Sequence, residues 1–172
     1  MLRVKIPREI YQEARELAVK KNEARKANKD KFITGDEQAN DIRGMVVEYL
    51  VCWCLGLPEP EVLTHVDECD FWWMNEGKMQ KVDVKANRKL LVNYTQFLRK
   101  PQDLYFFADV ENHSLEPWNC ELELIGFISH KEVASKAELI SFPNKSMAYR
   151  VRRSWLKELP VSTVQRGVVV CP

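Results

Sequence analysis

The sequence predicts an α/β layer structure on a mixed sheet, and three observations predict it. Segments of helical periodicity alternate with short runs of strand character. A hairpin signature, "DFWWMNEGKMQKVDVKAN", runs from Asp70 to Asn87. The stretch from Ala86 to Leu104 is long enough for a helical crossover between parallel strands.

The elements follow in order. "LRVKI" alternates apolar and charged residues and reads as a short strand. Pro7 suits the first turn of a helix whose apolar positions Ile10, Ala14, Leu17 and Ala18 keep helical spacing. Past Val19 this helix turns basic, through Lys20, Lys21, Arg25, Lys26, Lys29 and Lys31. Such a run reads as a solvated helix end or as an arm for backbone phosphates. "TGDEQANDIRGMVVEYLVCWCLGLPEP" is a second helix, capped by Thr34 or Asp36 and ended by Gly56 and Pro58. Its apolar surface includes Ile42, Met45, Val46, Tyr49, Leu50, Trp53 and Cys54, and Glu48 lies within it. Arg43, five residues before Glu48, is expected at the surface.

"EVLTHV" at 61–66 reads as a strand, and "CDFWWMN" and "MQKVDVKA" as two more around a turn at Asn75–Lys78. Leu90, Leu91, Tyr94, Phe97 and Leu98 return to helical spacing before Pro101. "DLYFFADV" is the near-continuous apolar run of a buried strand, and "ELELIGFIS" is another strand, alternating at first. "HKEVASKAEL" reads as a short helix, "SMAYRV" as a late edge strand and "RRSWLKEL" as a last helical turn or two. No internal repeat or low-complexity segment interrupts them. A single domain over 1–172 is expected, with an N-terminal extension at 1–34, a core at 36–129 and C-terminal additions at 130–172.

Composition narrows the function classes. The chain has 172 residues, 45% hydrophobic and 30% charged, enough for a sizeable core. Its 26 basic and 25 acidic residues leave a net charge of +1, so nucleic-acid binding would have to come from local clustering. Five cysteines without a C-x-x-C, and three scattered histidines, make no zinc pattern. An odd cysteine count without a secretory signal fits a reducing cytoplasm, and no apolar run reaches membrane-spanning length. No G-x-S-x-G, P-loop or dinucleotide fingerprint occurs, so no organic cofactor is expected.

The hairpin carries chemistry as well as packing residues. A two-residue loop at Glu76–Gly77 pairs Asn75 with Lys78 and, counting outward, Asp70 with Asp83. A longer loop with a bulge at Gly77 would shift that register by one. Directly opposed residues have Cβ atoms roughly 4.5–5.5 Å apart and point to one face. Lys85 shares the face of Asp83. Two opposed carboxylates repel, and either Lys85 or a divalent cation can compensate. A bound Mg²⁺ would polarise a phosphate and lower the pKa of a water, and a neighbouring lysine would orient that water or stabilise developing charge.

Asp70, then Asp83-Val84-Lys85 after a short hairpin, with Glu48 on the preceding helix, resembles the PD-(D/E)xK nuclease superfamily. "RGMVVEYLVCWCLGLP" is similar to that family's glutamate helix, with a small residue one turn before the acid and a Leu-Gly at its end. The match covers roughly residues 36–110. Cys69 stands where a proline often precedes the first aspartate, and Glu76-Gly77-Lys78 is a second D/E-x-K set aside because it falls in the turn. The resemblance implies a restriction-endonuclease-like αβββαβ core with a mixed central sheet flanked by helices, plus an N-terminal helix and C-terminal extra strands. It implies a Mg²⁺-dependent endonuclease, with Mn²⁺ as substitute. Asp70, Asp83 and the Val84 carbonyl would bind the metal, Glu48 directly or through water, and Lys85 would assist the nucleophilic water. Small Holliday-junction-resolvase-like or phage-encoded members are the nearest in kind, and a homodimer acting on DNA follows from that likeness.

Further candidates surround these four. Asn87, Arg88 and Lys89 either contact phosphates near the metal or cap the next helix. Gln96 faces roughly as Lys89 and Arg99 do, and either joins the site or is solvated. Trp72 and Trp73 point to opposite faces, so one is core and the other covers a neighbour, a dimer surface or a base. "YRVRR" with Lys145 reads as edge-strand charge or as a DNA rail. The alternative to an enzyme is an inactive nuclease-fold module binding nucleic acid or a protein, with Asp70, Asp83 and Lys85 kept as an ion-pair cluster. The orientation of Glu48 separates the two readings, because burying an unpaired carboxylate is costly.

Overall fold

The computed structural model describes residues 1–27, 35–57, 69–75, 77–111, 120–159 and 169–171. They form a mixed α/β fold of two sheets and four α-helices. The larger sheet has six strands in the order β2(Phe71–Asn75), β3(Lys78–Ala86), β5(Leu104–Glu111), β6(Glu121–Ser129), β1(Leu2–Lys5), β9(Val169–Cys171). The β3–β5 pair is parallel and the other neighbours are antiparallel. The smaller sheet orders β4(Leu91–Asn93), β8(Met147–Arg150) and β7(Glu138–Ser141). Among the described residues no helix is long and apolar enough to cross a membrane.

Helices α1(Arg8–Ala27) and α2(Gly35–Leu55) pack together, and α2 lies on one face of the large sheet against β3, β5 and β6. The main core forms there, from Val47, Leu50, Val51, Val82, Val84, Phe106, Leu122 and their neighbours. Gly56 ends α2 at φ 64, with Leu57 N–H donating to Cys52 O and Gly56 N–H to Trp53 O. That pair of bonds satisfies the helix's last carbonyls, as the Leu-Gly signature anticipates. A second core on the opposite face joins Phe97, Tyr105, Phe107, Ile125, Ile128, Val133 and Val151. Elements α3(Tyr94–Arg99), α4(His130–Lys136) and the small sheet cover that face. Alternate residues of β5 therefore feed different cores, which is why "DLYFFADV" is apolar throughout.

Several expectations are revised. The crossover from β3 to β5 exists, but only Tyr94–Arg99 is helical, because Leu91–Asn93 pairs with β8 first. The Asn93 side chain accepts from Gln96 N–H and so starts the helix there. "SMAYRV" yields the middle strand of the small sheet rather than an edge, with β4 and β7 on either side. "RRSWLKEL" contributes one 3-10 turn, Arg153–Trp155. Trp73 is the core tryptophan, 5.1 Å from Phe106 and 5.5 Å from Phe127 between ring centroids. The expected strand at 61–66, the Thr34 and Asp36 caps and the basic residues from Arg25 to Lys31 lie outside the described residues or side chains.

Gly126 holds φ +147 in β6, beside the register irregularity at Phe107/Ala108. A Cβ there would meet Lys157 O at 2.8 Å and Leu156 Cβ at 3.0 Å. Gly126→Ala is expected to destabilise the protein by about 2 kcal/mol through strain and crowding, read as a lower urea midpoint with an unchanged slope.

Candidate active site at the end of the hairpin

The hairpin has the register the two-residue loop requires. Phe71 pairs with Val82, Trp73 with Gln80 and Asn75 with Lys78, and Gly77 takes φ +76 in the turn. Asp70 lies one residue outside the ladder. Its N–H donates to Val82 O, and its Oδ2 accepts from Val84 N–H at 2.6 Å. The carboxylate thus takes the place of a backbone acceptor where β2 has ended. This differs from the expected side-by-side standing with Asp83. Held at the strand end, the Asp70 carboxylate feels charge from α2 on one side and from β3 on the other.

That position governs its protonation. Burial pushes the Asp70 carboxyl well above the ordinary carboxylate range. The negative charges of Glu48 and Asp83 push it further, against the Val84 N–H and Lys85. Three of the four expected catalytic side chains therefore act on the fourth. Lys85 Nζ lies 2.6 Å from Asp83 Oδ2 and donates to Gln96 Oε1 at 2.9 Å. Gln96, at the exposed surface of α3, is thereby brought to the lysine.

Glu48 is only partly exposed, with Lys21 Nζ of α1 at 3.8 Å from its Oε2. Both side chains line a groove between α1 and α2 whose other walls are Ala14, Leu17, Ala18, Met45 and Tyr49. The N-terminal helix thus reaches the candidate residue Glu48 through Lys21, a connection sequence reasoning missed. The signal was present, since Lys21 continues the stripe of Ala14, Leu17 and Ala18 at helical spacing. Tyr105, another residue missed, is aligned with Asp83 in the β3–β5 ladder and lies 3.1 Å from His130 Nδ1 through its hydroxyl. Burial raises the Tyr105 hydroxyl, and Asp83 adds to the rise. Burial, then Asp70 and Glu48, push the Cys52 thiol up to about 12, which removes it as a nucleophile at neutral pH.

The flanking candidates have other occupations. Asn87 Oδ1 accepts from Leu91 N–H at 2.9 Å and its Nδ2 donates to Leu91 O at 3.3 Å, closing the loop after β3. Within that loop Leu90 adopts φ 54, unusual for a branched side chain. Its side chain is buried in the second core and its carbonyl accepts from Val151 N–H, which hold it there. Arg88 turns to Asp109 and Glu123. Lys89 is exposed.

Among the described residues no three His, Cys, Asp or Glu side chains are grouped closely enough to enclose a metal ion. Mg²⁺ does not need such an enclosure, since one or two carboxylates with several waters suffice. Burial first, and then the charges of Glu48 and Asp83, raise the Asp70 carboxyl, and a divalent cation at Asp70 and Asp83 would offset that cost. No family model, curated protein or solved structure matches the chain.

Proposed function

We propose that the chain is a Mg²⁺-dependent endonuclease of the PD-(D/E)xK type, hydrolysing phosphodiester bonds of DNA. The buried Asp70 carboxylate bonded to Val84 N–H, which feels the charges of Glu48 and Asp83, and the Asp83–Lys85 pair on the adjacent strand support this reading. Asp70 and Asp83 would hold the ion, with the Val84 carbonyl and Glu48 completing its shell directly or through water. Bound there, the ion would polarise the phosphate and acidify a water. The chain's own part is to supply charge and orientation. Lys85, steered by Asp83 and Gln96, presents an ammonium that can orient the water or stabilise charge on the phosphate. Lys21 offsets the charge of Glu48 in a partly buried setting.

A second reading rests on the Asp83–Lys85 pair and on the Asp70 contact to Val84 N–H, which also suit a purely structural cluster. That module would bind nucleic acid or a protein without cutting. Incubation of labelled linear, single-stranded and four-way-junction DNA with Mg²⁺ or Mn²⁺ separates the two. Metal-dependent cleavage by the wild type, reduced at least about a hundredfold in Asp83→Ala, is the expected result. No cleavage of any substrate, with a melting temperature indifferent to Mn²⁺, selects the inactive module.

A further inference from the structure

The hairpin's two faces differ sharply. Phe71, Trp73, Val82 and Val84 enter the main core. The opposite face carries Trp72, Met74, Met79, Lys81, Asp83 and Lys85, by strand alternation and by burial. Trp72 is 48% exposed, Met74 58% and Met79 53%. They are also neighbours, since Trp72 pairs across the hairpin with Lys81, and Met74 with Met79. Lys81 Nζ lies 5.4 Å from the Trp72 ring centroid. β2 is the outermost strand of its sheet. The layer of α3 and the small sheet meets this face at Lys85, through Gln96. The candidate active site therefore stands at a step, with a covered sheet on one side and an open apolar and basic strip on the other.

We propose that this strip is a platform for an unpaired stretch of the substrate's nucleic-acid strand, with Trp72 stacking on a base and Lys81 facing its phosphate. The proposal rests on the nuclease reading and names the form of substrate that reading leaves open. The spacing suits it. Lys81 is two residues from Asp83 along β3, about 6.6 Å at strand rise, so a strand with its scissile phosphate at Asp83 reaches Trp72 within a nucleotide or two. An exposed tryptophan beside an ammonium offers what a base and its phosphate require, and stacking of this kind tolerates any sequence. Duplex DNA keeps its bases within the stack and cannot use Trp72 this way. A second copy of the chain is the less suitable occupant. An isologous contact needs a self-complementary patch. The acids on this face are already engaged, Asp83 with Lys85 and Asp103 with Lys81 N–H.

The test is binding of a short fluorescein-labelled oligothymidine to the full chain in EDTA, followed by anisotropy, where no cleavage is required. Wild type is expected to bind it more tightly than a blunt duplex of equal length. Trp72→Ala should weaken binding about tenfold or more, the loss of one base–aromatic stack, while Trp72→Phe keeps most of it. Unfolding curves of both variants should match the wild type, since the ring is outside the core. Equal affinity of wild type and Trp72→Ala overturns the proposal, as does a wild type that binds no oligonucleotide. A wild-type dimer that Trp72→Ala dissociates, at unchanged oligothymidine affinity, overturns it and assigns the strip to a second copy. Trp72-dependent binding without metal-dependent cleavage upholds the platform and removes the nuclease reading instead.

Discussion

Asp70→Asn is expected to abolish metal-dependent cleavage and to raise the melting temperature of the metal-free protein. The two effects share one cause. In the folded protein burial disfavours the Asp70 carboxylate, and the charges of Glu48 and Asp83 add to the cost. Its carboxyl therefore titrates higher in the folded than in the unfolded chain. The stability linked to it is present below the unfolded value and is lost as pH rises through the folded one. Asparagine is close to an isostere of the neutral acid. Its side-chain oxygen can still accept from Val84 N–H, and its amide can donate to a neighbouring carboxylate. Near neutral pH the variant should melt higher, on the order of 2–4 °C, the effect of about 1 kcal/mol in a chain of this size. The gap should close as pH falls below the folded value, where wild-type Asp70 is itself neutral. Adding Mg²⁺ should reverse the order, raising the wild-type melting temperature and leaving Asp70→Asn unmoved. A variant less stable than the wild type at neutral pH, with or without metal, would mean that Asp70 is structural. A residue whose removal stabilises the fold and ends activity is one retained for function.

The placement of Asp83 and Lys85 on the hairpin was legible in the sequence because it is local. Hairpin register follows from loop length, so Gly77 and the Asn75–Lys78 pair place Asp83 and Lys85 without reference to the remainder of the chain. Glu48 stood out because an acid on an apolar helix surface needs a partner, and Lys21 answers that need. The position of Asp70 was less legible. Pairing arithmetic continues β2 past Phe71, whereas the chain leaves the ladder there and substitutes a side-chain acceptor for a backbone one. The small sheet was hidden for a different reason. Its strands Leu91–Asn93, Glu138–Ser141 and Met147–Arg150 are too short to show alternation, and they pair across long sequence separations.

The least legible feature is the charge cluster beneath the loop after β3, and it gives the largest stability effect expected. In "ELELIGFIS" alternation places Glu123 towards water, yet Glu123 is only 6% exposed and the neighbouring Asp109 only 3%. The two are partners across β5 and β6. Opposed carboxylates repel, and three arginines from distant segments offset this. Arg43 of α2, expected at the surface, pairs with Asp109. Arg88 spans both acids, with Nε 2.9 Å from Asp109 Oδ2 and Nη2 3.3 Å from Glu123 Oε2. Arg153 lies 3.5 Å from Glu123. Arg88→Ala removes a partner from two buried carboxylates at once. Breaking a buried pair from one side costs about 3–5 kcal/mol, and the remaining arginines with the half-exposed Arg88 place this loss near the lower bound. The melting temperature should fall by roughly 6–12 °C. Arg88→Lys should recover only part of it, because one ammonium cannot span two acids as a guanidinium fork does. The outcome also decides what Arg88 does for function. A phosphate-contacting arginine would leave the melting temperature nearly unchanged and flatten the salt dependence of DNA binding. Arg88 should do the reverse. It ties the end of the Asp83–Lys85 strand to β5 and β6, so Arg88→Ala should loosen the site through the loop rather than through the substrate. Activity lost in the variant should then return, at least in part, on cooling well below its lowered melting temperature.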